Sequence, residues 1–336
     1  MSVLKKVVKA YRTEGLSTLL KRSIARASNT LYPKPTVTNN STPFPFWLLK
    51  YPYNALFTVK HGSGTDIMDE DWDTLILLDA CRFDDFSDIN SISGDLTHKI
   101  SQGVDSRRFI ERNFVGKDIH DTVYVTANPH VRLVDNDIFH DVITEPISNW
   151  DSEMQCVRPG DVTASAIEAH EKYPNKRIIV HYMQPHDPPL GPTAEKLREK
   201  AQIGGAAPNE RRSQGKRIME LVATGEISEE AAREAYRETL EIVLEDVDTL
   251  LKNIAGKVVI SSDHGEMFGE RPYLLLGKLY EHYRNPKTVE LCKVPWLIVE
   301  RGSKRRNITV ESRTEATSAI DTSELEEQLE ALGYKN

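Results

Sequence analysis

The stretch KVVISSDHGEMFGE, residues 257–270, sets a short apolar run directly against a cluster of titratable side chains. An unbroken apolar run, without polar alternation, suits a strand buried on both faces of a sheet. Four other runs have the same character: TLILLD (residues 74–79), TVYVTAN (122–128), RIIVHYM (177–183) and PWLIVE (295–300). The intervals between them leave room for crossover helices. The clearest such helix is expected from Ser228, a good N-cap, to Ile254, with Tyr236, Leu240, Val243, Leu244, Val247, Leu250 and Leu251 forming one apolar stripe. The expected fold is α/β, a doubly wound, mostly parallel sheet with helices on both faces.

In an open parallel sheet, ligands sit outside the carboxyl ends of the strands. Three of the five runs end in chemistry there: Asp79, then His186-Asp187 shortly after the third run, then Asp263-His264. Carboxylate oxygens and a neutral imidazole nitrogen are common ligands of a divalent cation such as Zn²⁺, Mn²⁺ or Mg²⁺. Asp79, Asp263 and His264 give an O, O, N set. The alternative reading is that each Asp caps a following helix. For Asp79 alone capping suffices, but it does not explain an adjacent Asp-His pair with a second Asp at another strand end.

These motifs resemble the alkaline phosphatase superfamily, in its sulfatase-like branch found beside surface-polysaccharide genes. LILLDACRFD resembles that branch's first-strand motif with its metal-binding aspartate, HYMQPHDPP its H-x-PH-x-P loop, and VISSDHGEMFGE its TSDHGE signature. VPWLIV resembles the last core strand and LEALGY the C-terminal ending, so the likeness runs over residues 70–334.

The resemblance implies a metal-dependent hydrolase of phosphate or sulfate esters acting on a glycan, a lipid or a small molecule. Alternatives are a phosphoglycerol- or phosphoethanolamine-type transferase on a membrane-associated glycan or lipid, and a metal-binding scaffold without turnover. It implies one or two divalent ions, of Mn, Mg, Zn or Ca. Asp79, Asp263 and His264 would hold the first. His282 would hold a second, with His186 and Asp187 either completing that site or, through His186, meeting the substrate's anionic oxygens. His181, on the strand itself, reads as a packed or supporting group.

The family nucleophile is a Ser, a Thr or a modified Cys at the start of a helix, and the C-x-P-x-R motif of sulfatases proper is missing here. Cys81 reads as a small core residue. Ser106, after the Gly103 turn and before Phe109, Ile110 and Phe114, is the best match and would also touch the metal, with Ser101 and Thr97 as competitors. Arg82, Arg107 and Arg108 are candidate anion-binding groups.

Composition bounds the rest. The chain has 336 residues, 39% apolar and 28% charged, with a net charge of −8. That is enough for a sizeable core, and no nucleic-acid partner is expected. Three scattered cysteines without a CxxC pair argue against a disulfide framework and favour a reducing compartment. No run approaches the roughly 18 apolar residues of a membrane span. A cytoplasmic chain, peripheral at the inner membrane face, is the expectation.

Residues 1–34 differ from this acidic body: eight basic residues stand against the single acid Glu14, and two stripes (Leu4, Val7, Val8, Tyr11; Leu16, Leu19, Leu20, Ile24) have helical spacing. Such a segment can lie on an anionic membrane or pack on the acidic body. Residues 35–69, rich in Pro and aromatics, read as a wrapping connector without a regular helix. Residues 70–336 read as the catalytic domain, with an insertion or lid at residues 192–225.

Overall fold

The computed structural model describes residues 46–135, 137–151, 154, 156–201, 203, 217–273, 278–282, 285–302 and 305–310. The basic segment 1–34, the middle of the expected lid and the C-terminal LEALGY lie outside the described residues.

The chain enters through helix α1 (Phe46–His61) and continues through β1 (Thr74–Asp79), α2 (Phe83–Ile89), β2 (Asp95–Ile100), α3 (Ser106–Asn113), β3 (Ile119–Thr126) and β4 (Phe139–Ile143). A short helix α4 (Glu145–Ser148) and the two-residue strands β5 (Trp150–Asp151) and β6 (Cys156–Val157) lead to α5 (Pro159–Lys172) and β7 (Arg177–Pro185). Then come α6 (Pro192–Lys200), α7 (Ile218–Thr224), the long α8 (Glu229–Asn253), β8 (Gly256–Ser262), β9 (Phe268–Glu270), β10 (Leu279–Tyr280), α9 (Val289–Cys292) and β11 (Lys293–Arg301).

Seven strands form one sheet in the order β2-β11-β8-β1-β7-β3-β4. Strands β8, β1, β7, β3 and β4 are parallel to one another, and β11 runs antiparallel between β8 and β2. The sheet is mixed and mostly parallel. Its five inner strands are the five apolar runs. The two edge strands carried no such signal: β2, DLTHKI, is half polar and largely exposed, and β4, FHDVI, is short. An edge strand with one partner needs little apolar surface.

Each face of the sheet has its own core. On one side Ile76, Leu78, Val123, Val125, Ile178, Val180, Val258 and Ile260 meet the buried stripe of α8 and the inner side of α5. On the other, Leu75, Leu77, Tyr124, Ile179 and Val259 meet Phe109, Ile110 and Phe114 from α3 and its end. This alternation along strands that are apolar at every position is what two-sided burial produces. Helix α8 starts where expected, with the Ser228 Oγ accepting from the Ala231 N–H at 3.1 Å.

One expectation is corrected. Proline content argued against a helix in residues 35–69, yet α1 forms there with Pro52 inside it. A proline this near the start of a helix removes one backbone bond, and tertiary contacts compensate. Tyr53 stacks on Tyr273 with ring centroids 4.0 Å apart, Asn54 Oδ1 accepts from the Lys287 N–H at 2.7 Å, and Phe57 packs with Val104, Met267, Leu291 and Cys292. The described parts of the expected lid are also ordered secondary structure. Ala194 of α6 and Ile218, Met219, Leu221 and Val222 of α7 join a core cluster against the start of α8.

Under this sheet, His170 of α5 is buried and neutral. Its Nδ1–H donates to the Ala166 carbonyl at 2.7 Å, so its Nε2 accepts from the Thr74 hydroxyl at 2.9 Å. Burial pushes its pKa down from 6.5 to about 4. A depressed folded-state pKa gives stability that is full above about pH 6.5 and lost as pH falls toward 4. Wild-type protein is therefore expected to lose about 3 kcal/mol more than His170→Gln across that window. Urea unfolding midpoints at a series of pH values measure the difference; parallel curves for the two proteins would contradict it.

Candidate active site

The register of the central strands creates the site. Leu78 pairs with Ser262 across β1 and β8, so the next residues in line, Asp79 and Asp263, leave the sheet side by side. The turn after β1 is held to the turn after β8 by side chains. Ser262 Oγ accepts from the Cys81 N–H at 2.9 Å and donates to the Leu78 carbonyl at 2.6 Å. Asp263 Oδ1 accepts from the N–H groups of Ala80 at 3.1 Å and His264 at 2.8 Å. Gly265 is required by close approach, because a Cβ there would stand 2.0 Å from the Glu290 carbonyl oxygen. The DHG spacing is thus a folding requirement as well as a chemical one.

What remains of these side chains points inward to one place. His264 Nδ1–H donates to the Gly265 carbonyl at 2.8 Å, which leaves Nε2 with its lone pair toward the centre. That nitrogen is 3.5 Å from Asp79 Oδ1, 3.5 Å from Asp263 Oδ2 and 3.3 Å from Ser106 Oγ. Asp79 Oδ2 accepts from Asn128 Nδ2 at 2.9 Å and from Ser106 Oγ at 3.3 Å. Asp79 Oδ1 and Asp263 Oδ2 are buried and have no hydrogen-bond partner.

Two carboxylates facing each other away from water are unfavourable unless a cation or proton lies between them. Burial, and then the Asp263 charge, raise the pKa of Asp79. Burial opposes ionisation of Asp263 too, but His264 and His181 outweigh it and hold that carboxyl below its usual range. Two orphaned carboxylate oxygens, one imidazole nitrogen and one hydroxyl form a donor set that fits a divalent cation.

A second cluster adjoins the first. His186, Glu266 and His282 offer ligand atoms within 4.8 Å of one another, as do Asp79, Asp263 and His264. His282 Nδ1 lies 3.0 Å from Glu266 Oε2, and its ring is 4.4 Å from that of His264 and 5.1 Å from that of His186. Burial, and then His282, push the pKa of His186 down to about 3. Burial and His264 likewise depress His282, so both rings are neutral and carry a lone pair. Asp187 contributes its backbone carbonyl to His186 Nδ1 at 2.9 Å, while the carboxylate of this cluster is that of Glu266.

Ser106 is the first residue of α3 and is 1% exposed; Asp105, whose side chain accepts from the Arg108 N–H, is the N-cap. The competitors are turned to other partners. Ser101 Oγ donates to the Asp263 carbonyl, and Thr97 Oγ1 on edge strand β2 donates to the Trp296 carbonyl at 3.3 Å.

Arg82 stands apart from the two clusters. Its guanidinium grips both oxygens of Asp84 at 2.8 and 2.7 Å and also meets Glu270 and the Glu266 carbonyl. That is a clamp between α2 and the strand after the DHGE turn, and it engages four of the five guanidinium N–H donors. Arg107 pairs with Glu111 on the surface and Arg108 with Asp105. Cys81 is buried in the sheet core. His181 sits behind Asp263, with Nε2 3.6 Å from Asp263 Oδ2 and Nδ1 2.8 Å from the Tyr124 hydroxyl.

Two site residues were not singled out from the sequence. Glu266 is the last letter of DHGE, and Asn128 ends the TVYVTAN run, at a strand end like the others. Behind Asn128, the backbone N–H of His130 donates to Asn128 Oδ1 at 2.9 Å. That bond fixes the amide so that its NH₂ faces Asp79.

No family model matches the chain, and no curated protein matches it. Among solved structures, the chain is similar to the integral membrane protein lipooligosaccharide phosphoethanolamine transferase A from Neisseria meningitidis, at 13% identity and a TM-score of 0.41. The match covers 67% of this chain and 47% of that one, so the chain spans about half of that protein's length. It is similar to the C-terminal periplasmic domain of EptC from Escherichia coli, in a complex with Zn, at 13% identity over 71% of this chain and 75% of that one, with a TM-score of 0.42. It is also similar to a protein of the alkaline phosphatase superfamily from Vibrio parahaemolyticus, at 13% identity over 73% and 62% of the two chains, with a TM-score of 0.38.

Proposed function

We propose that this protein is a metal-dependent hydrolase of phosphate or sulfate esters. The observation that carries the reading is the pair of buried, orphaned oxygens, Asp79 Oδ1 and Asp263 Oδ2, each 3.5 Å from the lone pair of His264 and all facing the Ser106 hydroxyl. Asp79, Asp263, His264 and Ser106 would hold one divalent cation, and His186, Glu266 and His282 a second. Bound there, such ions supply Lewis-acid polarisation of the ester and a lowered pKa for a coordinated hydroxyl.

The chain's own residues supply the rest. Ser106 is the nucleophile: its oxygen forms the new bond to phosphorus or sulfur as the bond to the leaving alkoxide breaks, the alkoxide takes up the proton that Ser106 gave up, and water then cleaves the Ser106 ester to free the acid and restore the hydroxyl. The Ser106 hydroxyl donates to Asp79 Oδ2 at 3.3 Å, which places that carboxylate oxygen to take up the proton. Its place at the N-terminus of α3 sets backbone N–H groups and the positive end of the helix beside an anionic substrate. Asn128 keeps Asp79 oriented, and the His282–Glu266 contact orients the second cluster.

His282→Ala is expected to lower the metal-to-protein ratio measured by elemental analysis while leaving the Asp79 cluster loaded. An unchanged ratio in a folded variant would remove His282 from the metal site. The reading as a whole is tested by turnover of aryl phosphates and aryl sulfates by purified protein supplied with Mn²⁺, Mg²⁺, Zn²⁺ or Ca²⁺.

A further inference from the structure

Residues of the paired strands β5 and β6 and of the end of β7 line a narrow cavity. His186 and Asp187 form part of its wall, so it adjoins the second cluster. Trp150, Val157 and Met183 make that wall largely apolar, yet polar groups there lack partners. Trp150 Nε1 and Gln184 Oε1 are buried and, among the described residues, make no hydrogen bond. Gln184 is 1% exposed, and its Nε2 donates to the Val157 carbonyl at 2.8 Å, which holds the amide in place with its oxygen bare. Arg198 interacts electrostatically with Cys156 and Asp187 of the wall, and its Nη1 is orphaned in the same way. A buried polar group left unpaired is unfavourable, and three of them gathered at one cavity call for a ligand.

We infer that this cavity receives the alcohol half of the ester and reads hydroxyl groups on it, so that the substrate is an ester of a polyol. The inference rests on the ester chemistry proposed above and specifies its substrate. A hydroxyl both accepts, as the N–H groups of Trp150 and Arg198 require, and donates, as Gln184 Oε1 requires. Other groups fail one of these demands. An alkyl chain suits the apolar wall but leaves all three polar atoms unpaired. A carboxylate or a second phosphate would meet Asp187 and the bare Gln184 oxygen, and an ammonium would face the Arg198 guanidinium and an indole N–H that cannot accept. A polyol instead lays its C–H surface on Trp150 and Met183 and turns its hydroxyls to the polar atoms. Trp150 and Gln184 thus determine specificity: they touch the alcohol and not the reacting atoms. A site built to hydrogen-bond a hydroxyl rejects the analogue that lacks it.

The test offers full-length protein with Mg²⁺ the phosphate, or the sulfate, of glycerol and of propanol, two esters that differ only in hydroxyl groups. Wild type should prefer the glycerol ester in kcat/KM at least about tenfold. Trp150→Phe, which keeps an aromatic ring and deletes the N–H, should lower that preference about fivefold. The wild-type comparison stands by itself should this variant fold poorly. Binding is read apart from turnover in NMR spectra of the indole N–H groups of Ser106→Ala protein, in which the ester stays intact. Of the four tryptophan signals, the one that Trp150→Phe removes should move with the glycerol ester and not with the propyl ester. Equal kcat/KM for the two esters, an unmoved Trp150 signal, or a full preference in Trp150→Phe overturns the inference, and the cavity then holds only bridging water. A glycerol-selective shift of Trp150 without turnover of either ester supports the subsite and defeats the hydrolase reading. Turnover without preference does the reverse.

Discussion

Asp263→Asn is expected to abolish metal-dependent turnover, by at least about a thousandfold, while making the metal-free protein no less stable than wild type. The asparagine Oδ1 can still accept from the Ala80 and His264 N–H groups, so the turn after β8 keeps its two hydrogen bonds. Its NH₂ takes the place of the orphaned Oδ2 and donates toward Asp79, replacing a repulsion with a hydrogen bond. Removing a buried like charge favours the fold, and sites of this kind are held against stability for the sake of their ligand. Wild-type protein should gain about 2.7 kcal/mol from a cation at a hundred times its dissociation constant; the variant should gain almost none. Thermal unfolding with and without added Mn²⁺ reads both effects. A variant that melts well below metal-free wild type, or that keeps the full metal-induced rise, would contradict this account of the two carboxylates.

Ser106→Ala separates nucleophile from metal holder. A serine hydroxyl is a weak nucleophile at neutral pH unless something lowers its pKa, and no histidine serves it as a dedicated base: His264 Nε2, at 3.3 Å, faces both carboxylates as well. Loss of the oxygen should cost at least about a thousandfold in turnover, on the scale seen when a hydrolase loses its attacking group. Metal content should fall little, because Asp79, Asp263 and His264 remain. Near-normal turnover in Ser106→Ala, with loss in Ser101→Ala, would move the attack to the hydroxyl that bonds the Asp263 carbonyl. Normal turnover in both would leave water as the attacking group.

The parts of this molecule that were legible in its sequence are those where one residue type has one use. Strands buried on both faces leave few choices but Val, Ile and Leu, so β1, β3, β7, β8 and β11 could be seen as runs. Their mutual order follows from pairing across the sheet and has no local signature. The edge strand β2 was hidden because Thr97 and His98 are exposed and Lys99 is polar and only half-buried. Helix α1 was hidden because its local signal, Pro52 among aromatics, opposes the tertiary contacts that form it.

In the site, Asp79 and Asp263-His264 stood out because charge directly after a buried run needs a reason. Glu266 and Asn128 did not, since what marks them is a partner far along the chain: His282 for one, Asp79 for the other. Arg82 shows the converse. An arginine beside a metal-binding aspartate invites an anion-binding role, and here Asp84, two residues on, and Glu270 take up three of its five donors.

The central claim, that the Asp79–Asp263–His264 cluster holds a divalent cation which the protein uses to cleave an ester, comes down to one assay. Full-length wild-type protein is stripped of metal by chelation, then offered an aryl phosphate and an aryl sulfate with and without restored Mn²⁺ or Zn²⁺. The account predicts turnover of at least one ester, absent in the stripped protein and recovered on adding metal. Protein that takes up the metal and turns over neither ester would contradict it and leave a metal-binding scaffold in place of an enzyme.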